Sequence, residues 1–151
     1  MLSVTPHFSS MDAGRELGIS PWERITQDQI DRFAECTGDR QWMHVDPERC
    51  GEQSPFGAPV AHGLLSLSLL ARLSSQLSGV PRGVVGMISS GFENVRFRTP
   101  ILVGTSVRAR ARILDVTPML GNRRLVRIAS SLEAEGRAPP AVTAEMHIVF
   151  F

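Results

Sequence analysis

Lysine and tyrosine are absent from this chain of 151 residues, cysteine occurs twice, and no uninterrupted apolar run of about 18 residues is present. Without such a run there is no membrane-spanning helix to expect. Cys36 and Cys50 lack the spacing of a metal knuckle and read as free thiols in a reducing compartment. The start of the chain has neither a basic stretch nor an apolar signal core, so the expected location is the cytoplasm, with no membrane partner. Length and composition, with 42% hydrophobic and 21% charged residues, fit one globular domain over residues 1–151.

With lysine missing, all 16 basic residues are arginine. Net charge is +1, but residues 96–127 hold eight arginines against the single acid Asp115, while residues 1–95 hold seven against eleven acids. The planar fork of arginine suits phosphate and carboxylate, so this block fits a phosphorylated ligand, a nucleic acid or simply a solvated strand face. Two tryptophans, seven phenylalanines and no tyrosine leave few aromatics to interleave with these arginines. Stacking on bases is therefore poorly supplied, and nucleic acid is not the expected partner.

Residues 1–21 have no strong period and contain Gly14, Gly18 and Pro21; they are expected to be loosely structured. Thr26 with Gln29 forms a capping-box pattern ahead of Ile30, Phe33 and Ala34, and Gly38 stops that helix. The stretch 39–59 is irregular and proline-rich, with Asp46-Pro47 expected to cap one short helix; a long loop of this kind tends to carry function. Leu64, Leu65, Leu67, Leu69, Leu70, Leu73 and Leu77 surround most of a helix over 62–77, predicting burial on nearly all sides. Beyond Gly79 the pattern turns to period two, clearest in Val107–Ile113 and Val142–Phe150. One buried helix and four strands joined by short turns predict an α+β fold with an antiparallel sheet around the helix.

Gly38-Asp39, His44 five residues later, Phe56-Gly57, and Ala61-His62-Gly63 before a leucine-rich helix follow one another in fixed order. This ordered set resembles the MaoC-like (R)-specific enoyl-CoA hydratase/dehydratase family, over roughly residue 22 to the end. Gln41 and Trp42 stand where many members have Asn and Pro, and that version resembles the nodulation-protein-N-like branch. The resemblance implies a hot-dog fold, in which a long antiparallel sheet wraps a central helix, and a homodimer. It also implies Asp39 and His44 as the catalytic acid/base pair, and the Gly63 backbone N–H as donor to the thioester carbonyl. Trp42 is expected to wall the acyl pocket, Phe56 and Gly57 to help bind substrate, and Arg96 and Arg98 to meet phosphates of coenzyme A.

Adding water across a trans-2-enoyl-CoA requires a base for the water, a proton for the α-carbon and a donor for the enolate-like oxygen. Imidazole and carboxylate supply the first two, and a glycine N–H at a helix N-terminus supplies the third. The product implied is an (R)-3-hydroxyacyl-CoA, and no cofactor beyond the coenzyme A thioester is expected. An acyl-CoA thioesterase and a non-catalytic acyl-thioester-binding subunit are the alternatives on the same fold. His44-x-Asp46 with His62 imitates an iron-binding 2-His-1-carboxylate set, but such ligands sit on a longer β scaffold, so no metal is expected. His62 reads as a packed residue at the helix start, and Cys36 as a buried, inert thiol rather than a nucleophile.

Overall fold

The computed structural model describes residues 11–78 and 83–151. Residues 1–10 of the segment expected to be loose, and the boundary at Gly79, lie outside these. The remainder of that segment is not loose. Strand β1 (Glu16–Ile19) pairs antiparallel with β4 (Ser106–Met119), placing Gly18 opposite Ala111 and Ile19 opposite Arg110. A two-residue strand, β2 (Glu23–Arg24), pairs with the start of β4. Four residues have too little periodicity to announce a strand; their hydrogen-bond partners lie about 90 residues downstream.

Helix α1 (Gln27–Thr37) starts as its sequence predicts. Thr26 Oγ1 accepts the Gln29 N–H at 3.2 Å, and the Thr26 N–H donates to Gln29 Oε1 at 2.9 Å. It stops at Gly38, whose φ of 80° is left-handed backbone that favours glycine. Two short helices follow, α2 (Trp42–Val45) and α3 (Pro47–Gln53), the latter capped by Asp46, which accepts the Arg49 N–H at 3.0 Å. Cys36 is exposed, contrary to expectation, because it lies about 200° round α1 from Ala34, opposite the face that buries Ile30 and Ala34.

The long helix α4 (Gly63–Ser78) precedes β3 (Met87–Phe97), β4, β5 (Arg123–Ala134) and β6 (Val142–Phe150). All pairings are antiparallel, in the order β1-β4-β5-β6-β3, and α4 packs on one face of the six-stranded sheet. Inward residues of β5 and β6 alternate strictly, with Val126, Ile128 and Leu132 lying beside Ile148, Met146 and Val142 on the same face of the sheet beneath α4. Ala109, Ala134 and Ala144 carry little bulk there, so Leu65, Leu69, Leu70 and Leu73 sink onto the strands. Each buried leucine contributes about 1.5–3 kcal/mol. The circumference is less buried than the leucine count predicts: Leu64 is 62% exposed at the first turn.

The outer face of the sheet explains much of the arginine block. Arg108 and Arg110 both pair with Glu133, and Arg127 pairs with Glu145. Burial works against the Glu133 carboxylate, but hydrogen bonds from the two arginines prevail and hold its carboxyl below the usual range. Hydrogen bonds from Asn94 and then Arg127 lower that of Glu145. Strand β3 lies at a sheet edge and is exposed along nearly its whole length, including Met87, Ile88, Phe92 and Phe97.

Candidate active site

Asp39 and His44 cannot meet on one regular element, since five residues turn a helix by about 140°. The chain brings them together by a break. Gly38 ends α1, Asp39 occupies the corner, and α2 begins three residues later, the His44 N–H bonding to the Gln41 carbonyl at 2.9 Å. From α1, Gln27 Nε2 donates to the His44 carbonyl at 2.8 Å and fixes the short helix against the longer one. Asp39 stays exposed, accepting the Gln41 N–H at 3.4 Å, whereas His44 is buried.

The tautomer of His44 follows from its partner. Nδ1 lies 2.6 Å from the Val60 carbonyl, which can only accept, so in the neutral ring Nδ1 carries the proton and Nε2 keeps a lone pair. His62 is arranged the opposite way: its Nε2 lies 3.0 Å from the Asp39 carbonyl and is the protonated nitrogen. The two imidazoles stack with centroids 3.8 Å apart and planes 26° apart, and Phe33 packs on His62 at 4.9 Å. A carboxylate oxygen of Asp39 and one nitrogen from each histidine lie within 4.8 Å of one another.

Three such donors have the chemistry of a metal site, but their geometry is poor for one. Ring planes inclined at 26° and stacked at 3.8 Å meet several ångström away, whereas a metal–nitrogen bond of about 2 Å needs both lone pairs to converge close by. Asp46, two residues after His44, spends its side chain capping α3. A gap of up to 4.8 Å suits one water bridging carboxylate and imidazole.

Two cavities meet at this point. One, of about 210 Å³, is lined by Phe33, Thr37, Asp39, His44, His62 and Leu64; the other, of about 270 Å³, is lined mainly by Met43, Phe56, Val60, Ala61, Pro100 and Ile101. Gly63 and Phe97 line both. As the first residue of α4, Gly63 has an N–H with no acceptor inside its own helix and lies at the positive end of the helix dipole. The Phe97 ring lies against it: a Cβ on Gly63 would stand 3.3 Å from Phe97 Cε1. A shallower depression of about 360 Å³ on the sheet, lined by Arg110, Ser131 and Glu145 among others, shares no residue with either cavity.

The remaining site expectations divide. Phe56 lines the apolar cavity, as does Arg98. Trp42 lines neither cavity; its ring lies under the Arg49 guanidinium at 4.5 Å, because α2 turns the following residue, Met43, into the apolar cavity instead. Gly57 sits in a turn closed onto the Ser54 carbonyl and lines neither. Arg96 is also outside both, its guanidinium bonded to the Val95 carbonyl. Met43, Phe97 and the Val60 carbonyl carried no signal in the sequence, and Phe33 was legible only as part of the apolar face of α1. A main-chain acceptor leaves no side-chain trace, and Phe97 reaches the site only because β3 passes the start of α4. Cys50 is no nucleophile: burial, and then the nearby Asp46 charge, push its thiol up despite Arg49.

Residues 9–134 match the family model described as MaoC like domain. The chain is 42% identical over 133 residues to 3-hydroxyacyl-thioester dehydratase Z of Mycobacterium tuberculosis, covering 88% of this chain and 87% of that protein. Nodulation protein N of Rhizobium meliloti is 38% identical over 133 residues, with 87% and 81% covered. Among solved structures, the (R)-hydratase of A. caviae superposes with a TM-score of 0.74 at 25% identity, over 92% of this chain and 96% of that one.

Proposed function

The chain belongs to the MaoC-like domain family, and from that premise we propose that Asp39 and His44 add water to trans-2-enoyl thioesters at the junction of the two cavities. The enzyme is a hydro-lyase of the hydratase/dehydratase class, as its relatives are named, and serves fatty-acid metabolism. One observation supports the site assignment above others: the bond from His44 Nδ1–H to the Val60 carbonyl leaves Nε2 as the ring's acceptor, and a His44 ring nitrogen lies within 4.8 Å of an Asp39 carboxylate oxygen in a cavity that Gly63 also lines.

The acyl chain occupies the apolar cavity and the thioester carbonyl meets the Gly63 N–H. A water held between Asp39 and His44 gives one proton to the pair as its oxygen bonds C3. Charge developing on the thioester oxygen is met by the N–H and the helix dipole. The pair returns a proton to C2, so the site ends in its starting protonation state and the product is an (R)-3-hydroxyacyl thioester. The step draws on no metal and no redox cofactor, and Arg98, at the wall of the apolar cavity, is the arginine we assign to the coenzyme A moiety.

A homodimer completes this reading. An edge strand of 11 residues exposing Met87, Ile88 and Phe92 invites pairing with a second copy, which also covers the half-exposed Phe97 beside the site. Among the described residues no helix is long and apolar enough to cross a membrane; the proposed location is the cytoplasm, and residues 1–151 act as one domain.

The test is loss of enoyl-thioester ultraviolet absorbance on adding purified protein to trans-2-enoyl-CoA of short and medium chain. Wild type is expected to consume it, and Asp39→Asn and His44→Ala each to lose about 10²-fold or more in kcat. Release of free coenzyme A without hydration identifies a thioesterase instead, and binding without turnover a non-catalytic subunit.

A further inference from the structure

His62 is 3% exposed, and three contacts surround it: the Asp39 carbonyl on Nε2, the His44 ring at 3.8 Å and the Phe33 ring at 4.9 Å. Its Nδ1 is buried with no hydrogen-bond partner among the described residues. A residue serving only to fill this space would gain from being phenylalanine, which packs on Phe33 and His44 equally well and leaves no buried acceptor unpaired. The imidazole therefore has to be explained by what its other nitrogen does. That nitrogen reaches 23 residues back along the chain to the main-chain carbonyl of Asp39, the corner residue. The Asp39 N–H itself meets the exposed Thr37 hydroxyl, long at 3.3 Å, and the bonds on either side, Gly38 N–H to the Ala34 carbonyl at 2.9 Å and Arg40 N–H to the Gly38 carbonyl at 3.0 Å, are local to the turn and do not tie it to α4.

We propose that His62 is a positioning residue: its Nε2–H ties the Asp39 corner to the start of α4 while its ring backs the His44 imidazole, so that carboxylate and base address the same water. This rests on the hydratase reading above. The register is set by one short stretch of chain. His62 immediately precedes Gly63, so one helix start supplies both the donor for the thioester oxygen and the tie for the acid. Slackening the tie leaves the substrate cavities in place but lets Asp39, already exposed, swing from the water. Misplacing a reacting group by about 1 Å can cost about 10²-fold. The charged and titratable groups facing His62 are Asp39 from the corner and His44 from α2; α1 presents Phe33 and Thr37, and α4 presents Gly63 and Leu64.

The experiment compares wild type, His62→Phe and His62→Gln on a trans-2-enoyl-CoA, with kcat and KM separated, and reads the imidazole tautomers of the wild-type protein by nitrogen-15 NMR. Phenylalanine keeps the stack and removes the donor; kcat is expected to fall about 10- to 10²-fold with KM within about twofold. Glutamine places an amide N–H near the Nε2 position and is expected to recover most of kcat. In the spectra, neutral His62 is expected to carry its proton on Nε2 and neutral His44 on Nδ1. Unchanged kcat in His62→Phe, equal losses in the two variants, a loss confined to KM, or a His62 protonated on Nδ1 each overturns the proposal. A wild-type protein with both expected tautomers but no hydration on any chain length refutes the hydratase reading, and the positioning role with it, while leaving the geometry intact.

Discussion

Replacing Gly63 by alanine should separate activity from stability. Gly63 has no left-handed φ, so an alanine fits the backbone, and as the better helix former it gains up to about 1 kcal/mol. The new methyl would lie 3.3, 3.4 and 3.6 Å from Phe97 Cε1, Cδ1 and Cγ. Non-bonded carbons prefer about 3.5–4.0 Å, so the ring must yield by a few tenths of an ångström. Phe97 is 51% exposed and can yield outward at little cost. The melting temperature should therefore stay within about 2 °C of wild type or rise. Activity should not survive equally well. The Cα–Cβ bond of a helical residue tilts toward the N-terminus, which here is the junction where the two cavities meet. The thioester oxygen must approach the N–H to about 2.7–3.1 Å, and removing such a donor outright costs about 10²–10³-fold. Displacing it should cost about 10- to 10²-fold in kcat, or about 1.4–2.7 kcal/mol of barrier. Initial rates of absorbance loss beside a thermal melt decide the matter. Wild-type kcat in a folded Gly63→Ala protein would refute the placement of the oxyanion donor.

Met43→Ala should shift chain-length preference toward longer or bulkier acyl groups, while Trp42→Ala should leave it unchanged, because only Met43 lines the apolar cavity; kcat/KM across a series of chain lengths reads the difference, and the opposite pattern contradicts the cavity assignment. Glu133→Gln should lower the melting temperature at pH 7. A carboxyl held below its ordinary value contributes stability above about pH 4.3 that is lost as pH falls through its folded value, so the gap to wild type should narrow below about pH 4; a gap that persists undiminished at pH 3 goes against the ion-pair account. Leu70→Ala, at a fully buried position of α4, should cost about 2–5 kcal/mol in urea unfolding at unchanged slope, and a loss under 1 kcal/mol would mean that the helix is not seated as described.

Much of the fold was legible in short-range pattern, because the features that carried it are local. The capping box at Thr26 and Gln29, the left-handed stop at Gly38, the Asp46 cap and the period-two strands each depend on residues a few positions apart. Asp39, His44 and Gly63 stood out for another reason: their spacing resembles a known family, although nothing in that spacing said how Asp39 and His44 could meet. Tertiary structure decided the rest. β1 is a strand only because β4 offers it partners, and Leu64 is exposed because the helix start opens onto the site. Met43 rather than Trp42 lines the apolar cavity because a four-residue helix fixes which neighbour faces it. The tautomer of His44 depends on a carbonyl 16 residues away, and the partner of His62 on one 23 residues away. Main-chain groups carry no identity in a sequence, so which nitrogen is left to accept a proton is a property of the folded chain alone.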